Sequence, residues 1–112
     1  MTNAEATNDR AKLLMHRIIA RELRQDPTLI AEAREIIARE RLAGLTNSYL
    51  DEWEAILALP VHETCRRIVQ RDPDMYRLRI SSPFGAAPSL SRLGLRDVEV
   101  RKRIWRKALL YK

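Results

Sequence analysis

The chain has 112 residues, 46% apolar and 32% charged, which is enough for one hydrophobic core and excludes a disordered, low-hydrophobicity chain. Its single cysteine, Cys65, excludes an intrachain disulfide framework and a multi-thiolate metal site. No apolar run approaches the length of a membrane span, and residues 1–8 are polar where a secretory signal carries its apolar core, so a cytoplasmic protein is expected. The net charge of +6 is unevenly placed. Residues 1–91 carry 13 basic and 13 acidic side chains, whereas residues 92–112 carry 8 basic and 2 acidic ones.

Apolar periodicity predicts a first helix over residues 4–25, with Leu14, Met15, Ile18, Ile19 and Leu23 on one face. Asp26-Pro27 ends it, and the aspartate is placed to cap a second helix that has proline at its start. Leu29, Ile30, Ala33, Ile36 and Ile37 form the stripe of that second helix, and Gly44 is its stop. Thr46-Asn47-Ser48 offers caps for a third helix that carries Leu50, Trp53, Ile56 and Leu57. Pro60 opens a fourth helix with Val61, Cys65, Ile68 and Val69, and Pro73 starts a short fifth that runs to about Ile80. No segment alternates apolar and polar residues between turn dipeptides, so strands are not expected. The fold predicted is all-α, a compact bundle of five to six helices in one domain.

Residues 77–94 interrupt this pattern, holding two of the five prolines, two of the three glycines and the only phenylalanine. Ser82 precedes Pro83 and is pushed to an extended backbone, so the fifth helix has to stop there. Residues 81–94 read as an irregular loop, and helical character returns over residues 95–111. In that last helix Val98, Trp105, Ala108 and Leu109 are expected to face the core. Arg101, Lys102, Arg103, Arg106 and Lys107 cover much of the remainder, making it a basic amphipathic helix.

Converging catalytic groups are not evident. His16 and His62 fall on different predicted helices, belong to no ligand-spaced pair, and are expected at surface or helix-terminal positions. Cys65 lies within an apolar stripe and is expected to be buried. Asp51, Glu52 and Glu54 open a helix, where negative charge complements the macrodipole, and Asp72 and Asp74 flank Pro73 for the same reason. No glycine-rich phosphate loop is present. These features predict a binding protein rather than an enzyme, with no metal and no cofactor. A helix-turn-helix pivoting on residues 44–47 is disfavoured, because the helix after it, "SYLDEWEAILAL", is acidic and repels phosphate.

Trp53 with its acidic neighbours, Pro60, the run Leu78-Arg79 followed by Ser81-Ser82-Pro83-Phe84-Gly85, and Ile104-Trp105-Arg106 resemble a group of small helical bacterial proteins that serve as antitoxins in toxin–antitoxin operons. Ile80 and the long "AAPSLSRLG" stretch depart from that pattern. The resemblance implies a protein that binds and neutralises a co-expressed toxin. One antitoxin subclass blocks Fic-type enzymes with a helix bearing Ser or Thr, three residues, Glu, then Gly or Asn. Thr28–Glu32 and Ser48–Glu52 match its start, but Ala33 and Trp53 fail its last position.

The partner-binding residues expected are Arg77, Arg79, Ser82, Pro83, Phe84, Arg101, Arg103, Trp105 and Arg106. Phe84 either inserts into a partner's pocket from a proline-stiffened segment or folds back to plug its own bundle. Arg77, Arg79 and Arg92 then form a basic rim suited to an acidic surface. Two further partners fit the sequence: nucleic acid, held through phosphate contacts along residues 92–112, and a second copy of the chain.

Overall fold

A computed structural model of the chain describes residues 3–86, 94 and 97–110. They form six α-helices and one 3₁₀ turn, with no strand among the described residues: α1 (Asn3–Gln25), α2 (Thr28–Leu42), α3 (Ser48–Leu57), α4 (Val61–Arg67), α5 (Pro73–Ile80), the 3₁₀ turn (Pro83–Ala86) and α6 (Val98–Leu110). The fold is the all-α bundle expected. No helix among the described residues is long and apolar enough to cross a membrane.

Local chemistry sets most of the helix ends. Asp26 Oδ1 accepts the Thr28 backbone N–H at 3.2 Å and also the Thr28 hydroxyl, which satisfies a donor at the start of α2. Gly44, with φ of 88°, lets the chain leave α2 in a left-handed turn. There Gly44 N–H donates to Arg41 O and Leu45 N–H to Glu40 O, both at 3.0 Å, the paired bonds of a Schellman ending. Pro60 lies just outside α4 in an extended conformation, and Pro73 is the first residue of α5. Asn47 occupies the N-cap position of α3 but makes no side-chain cap bond; its amide reaches the Tyr49 hydroxyl instead.

Helix α1 is the spine, touching α2, α4, α5 and α6, while α2 packs on α3 and on the 3₁₀ turn. Its buried line is Leu13, His16, Ile19, Ala20 and Leu23, turned from the stripe expected, so that Leu14, Met15 and Ile18 are only partly covered. The expected stripe of α3 is buried in full: Leu50, Trp53, Ile56 and Leu57. Helix α4 is shorter than predicted, because Ile68 and Val69 fall in the turn that follows it. Cys65 is buried as expected, its thiol 3.4 Å from Ala20 O, and burial pushes its pKa up.

Phe84 is 0% exposed and belongs to the same core as Trp53, Leu29 and Ile37. Of the two arrangements the sequence left open for Phe84, the structure shows the second, in which the ring folds back and plugs its own bundle. The reason is the small size of the core, in which one more aromatic ring adds a large apolar area at the junction of α1, α2 and α3. Truncation by Phe84→Ala is expected to lower unfolding free energy by about 3–5 kcal/mol, measured by urea denaturation followed by circular dichroism.

Candidate partner-binding surface

The sequence marked two parts of the chain for binding, the Ser-Pro-Phe segment and the basic last helix. The structure treats them differently. Ser82-Pro83-Phe84 is pinned inward by Trp53 and His16. The Trp53 indole N–H donates to Leu78 O at 2.9 Å, near the end of α5. Its ring lies 6.2 Å from His16 in a stacked arrangement and 6.0 Å from Phe84 edge to face. His16 and Phe84 meet at 6.4 Å, also edge to face.

His16 is buried rather than at the surface or a helix end, which corrects the expectation for it. Its Nδ1 lies 2.7 Å from Lys12 O, an oxygen that can only accept, so Nδ1 carries the proton. Nε2 is therefore an acceptor, and the Ser82 hydroxyl donates to it at 2.8 Å. This is the contact of a serine with a base. Burial, helped by the nearby Arg79 and Lys12 charges and opposed by the Lys12 carbonyl, lowers the imidazole pKa from 6.5 to about 4. An imidazole of so low a proton affinity is a weak general base near neutral pH, and the bond acts as a tether for the turn. The clue in the sequence was spacing: Leu13, His16, Ala20 and Leu23 form a line at intervals of three and four.

The arginine rim is not assembled as expected. Arg77 is exposed but held by Glu52 through two bonds of 2.9 and 2.8 Å, with Asp74 at 3.6 Å, so its charge is already met. Arg79 is 2% exposed. Its Nη1 donates to Ile68 O at 3.0 Å and Gln70 O at 2.8 Å, tying down the chain after α4, and its guanidinium lies 5.0 Å from the Tyr76 ring centre. Pro83 is buried and Ser82 half-buried. Arg92 lies outside the described residues.

Helix α6 does present a surface. Asp97 caps it, Oδ1 accepting from Glu99 N–H at 2.8 Å and Val100 N–H at 3.3 Å, so the helix begins later than residue 95 of the sequence reading. Residues 87–93, 95–96 and 111–112 of the predicted loop and helix lie outside the described residues. Ile104 and Ala108 are buried against α1 with Val100 partly covered, and Arg10 Nε donates to Ala108 O at 2.8 Å. This line at intervals of four replaces the core face expected. Ala108 alone of that set is buried, whereas Val98 is 63% and Leu109 54% exposed and Trp105 is half-buried. The small Ala108 permits close approach to α1, and the helix rotates to use it. Val98, Trp105 and Leu109, spaced by seven and four, thus form an apolar ribbon along the outer side. Arg101, Lys102, Arg103, Arg106 and Lys107 are exposed around it, with Lys102 3.6 Å from Glu99. Of the nine residues expected to bind a partner, Arg101, Arg103, Trp105 and Arg106 share this helix.

The buried His16 makes stability depend on pH. Its folded pKa lies below the unfolded one, so the unfolded chain binds more protons between about 4 and 6.5. Stability present at pH 7 is lost as pH falls through that window, by about 2 kcal/mol between pH 7 and pH 5 from this group. Urea denaturation at the two pH values measures the loss, and His16→Gln is expected to flatten the dependence by that amount.

Compared with known proteins, the chain matches no protein-family model, no curated protein and no solved structure.

Proposed function

We propose that this protein is a non-enzymatic binding module that acts as an antitoxin, docking the outer face of α6 on an acidic surface of a co-expressed toxin. The observation that supports this reading is the ribbon of Val98, Trp105 and Leu109 set among five exposed cations. Apolar side chains at the centre of a contact supply burial, while cations at its rim steer an acidic partner and set register. The likeness of the Ser-Ser-Pro-Phe and Ile-Trp-Arg runs to antitoxins of toxin–antitoxin operons is what narrows the partner to a toxin.

Duplex nucleic acid is the second reading, since the same cations suit phosphates. The exposed Val98, Leu109 and Leu110 favour a protein, because they gain nothing from a phosphate backbone.

Co-expression with the product of the adjacent gene tests the proposal. Co-purification and restored growth of the host are expected, with the pair dissociating as salt is raised. Reversing charge in Arg103→Glu/Arg106→Glu is expected to weaken the pair by roughly a hundredfold at low salt, with an unchanged circular dichroism spectrum. Absence of both co-purification and growth rescue overturns the proposal. A mobility shift on duplex DNA whose affinity falls with a log–log salt slope of roughly −5 supports the nucleic-acid reading instead.

A further inference from the structure

Three arginines of the helical body meet carboxylates. Arg41 is bonded to Asp51 and Glu54, Arg67 to Asp72 and Arg77 to Glu52. Arg79, the one arginine buried among the described residues, is bonded to none. With Nη1 spent on Ile68 O and Gln70 O, its Nε and Nη2 are buried with no hydrogen-bond partner among the described residues. Those two nitrogens form the side edge of the guanidinium, whose parallel N–H groups match the two oxygens of a carboxylate or phosphate. Burial pushes the Arg79 pKa down, opposed by Tyr76, Asp72 and Asp9. A guanidinium nevertheless stays charged in a protein, and a buried charged donor without an acceptor is costly.

Arg79 also forms part of the wall of a cleft of about 260 Å³ between α1, the α5–3₁₀ junction and α6. Lys12 and Arg101 add two further cations to the lining, Asn8 adds an amide, and no carboxylate lines it among the described residues. Met15, Ile104 and Trp105 give it an apolar side. The Ser82 hydroxyl also lines the cleft, but its proton is committed to His16. A site of this volume, apolar on one side and cationic on the other, has the makeup of a small-ligand pocket.

We propose that this cleft binds a small organic oxyanion, a carboxylate or phosphate carried on an apolar body, drawn by the buried Arg79 charge that no carboxylate bonds, with Trp105 covering the apolar part. Lys12 and Arg101 supply the remaining counter-charge at the rim. The site shares Trp105 and Arg101 with the toxin-docking face of α6, whereas Arg79 and Lys12 lie off that helix, so Arg79→Gln tests the cleft without altering the residues proposed to meet a toxin.

Titrating phenyl phosphate, benzoate and inorganic phosphate at pH 7, while following the Trp105 indole N–H in proton–nitrogen correlation spectra, tests the site. The tighter of phenyl phosphate and benzoate is expected to saturate with Kd on the order of 1 mM, given so few heavy atoms, and its identity names the oxyanion. Inorganic phosphate is expected to bind at least roughly tenfold more weakly, for want of the apolar body. Arg79→Gln is expected to weaken binding at least roughly tenfold. Since Arg79 also anchors the chain after α4, Lys12→Gln/Arg101→Gln provides a second readout that leaves the core intact, with a loss of similar size. The proposal is overturned by the lack of any saturable shift with either aromatic anion. Affinity that is unchanged in both variants, or inorganic phosphate binding as tightly as phenyl phosphate, overturns it equally.

Discussion

The Trp53 indole is the contact around which the rest of this structure is arranged. It reaches from α3 to the end of α5 through its bond to Leu78 O, while its faces and edges meet His16 of α1 and Phe84 of the 3₁₀ turn. Three other segments, α1, the end of α5 and the 3₁₀ turn, thus converge on one buried ring of α3. Each aromatic pair adds about 0.5–1.5 kcal/mol beyond area burial, and the larger share comes from removing the rings from water. Seating Phe84 there is what commits the Ser-Pro-Phe segment to the interior. The Ser82–His16 bond closes the same arrangement, because a buried imidazole acceptor needs a donor and the serine hydroxyl supplies it.

Charge is sorted along the same lines. In the neutral body the acidic residues opening α3 do more than favour a helix dipole. Asp51 and Glu54 bridge to Arg41 of α2, and Glu52 to Arg77 of α5, so they tie neighbouring helices together. Such exposed pairs contribute little stability singly, but they fix the positions of Arg41 and Arg77 between helices. The excess positive charge falls in the last segment by composition, and the contact of α6 with α1 runs along the narrow line of Val100, Ile104 and Ala108. The rest of that helix faces outward, cations and apolar residues together. Arg79 is the exception within the body, drawn inward to hold the carbonyls after α4 and left with an unfilled edge beside a cationic cleft.

How far each feature was legible depended on how local its cause is. Asp26-Pro27, Gly44, Pro60 and Pro73 act through the backbone of their immediate neighbours, and the breaks between α1 and α5 fall where these residues stand. The stripe of α3 was equally readable, since all of its large apolar residues lie on one face. The orientation of α6 was not, because its apolar residues point in more than one direction and the choice between Trp105 with Leu109 and Ile104 with Ala108 rests on how closely α1 can approach. His16 likewise has a polar side chain that burial disfavours until Lys12 and Ser82 satisfy both ring nitrogens.

The sequence by itself determined the helical class, the positions of the helix breaks and the concentration of positive charge in the last segment, all consequences of spacing, proline, glycine and composition. Tertiary structure decided which polar groups go inside and which apolar ones stay out: His16, Arg79 and Phe84 inward, Val98 and Leu109 outward. The physical reason is that burial is settled by partners distant in the chain. Ser82 lies 66 positions from His16 and Ala108 lies 98 positions from Arg10, and no local pattern encodes those meetings.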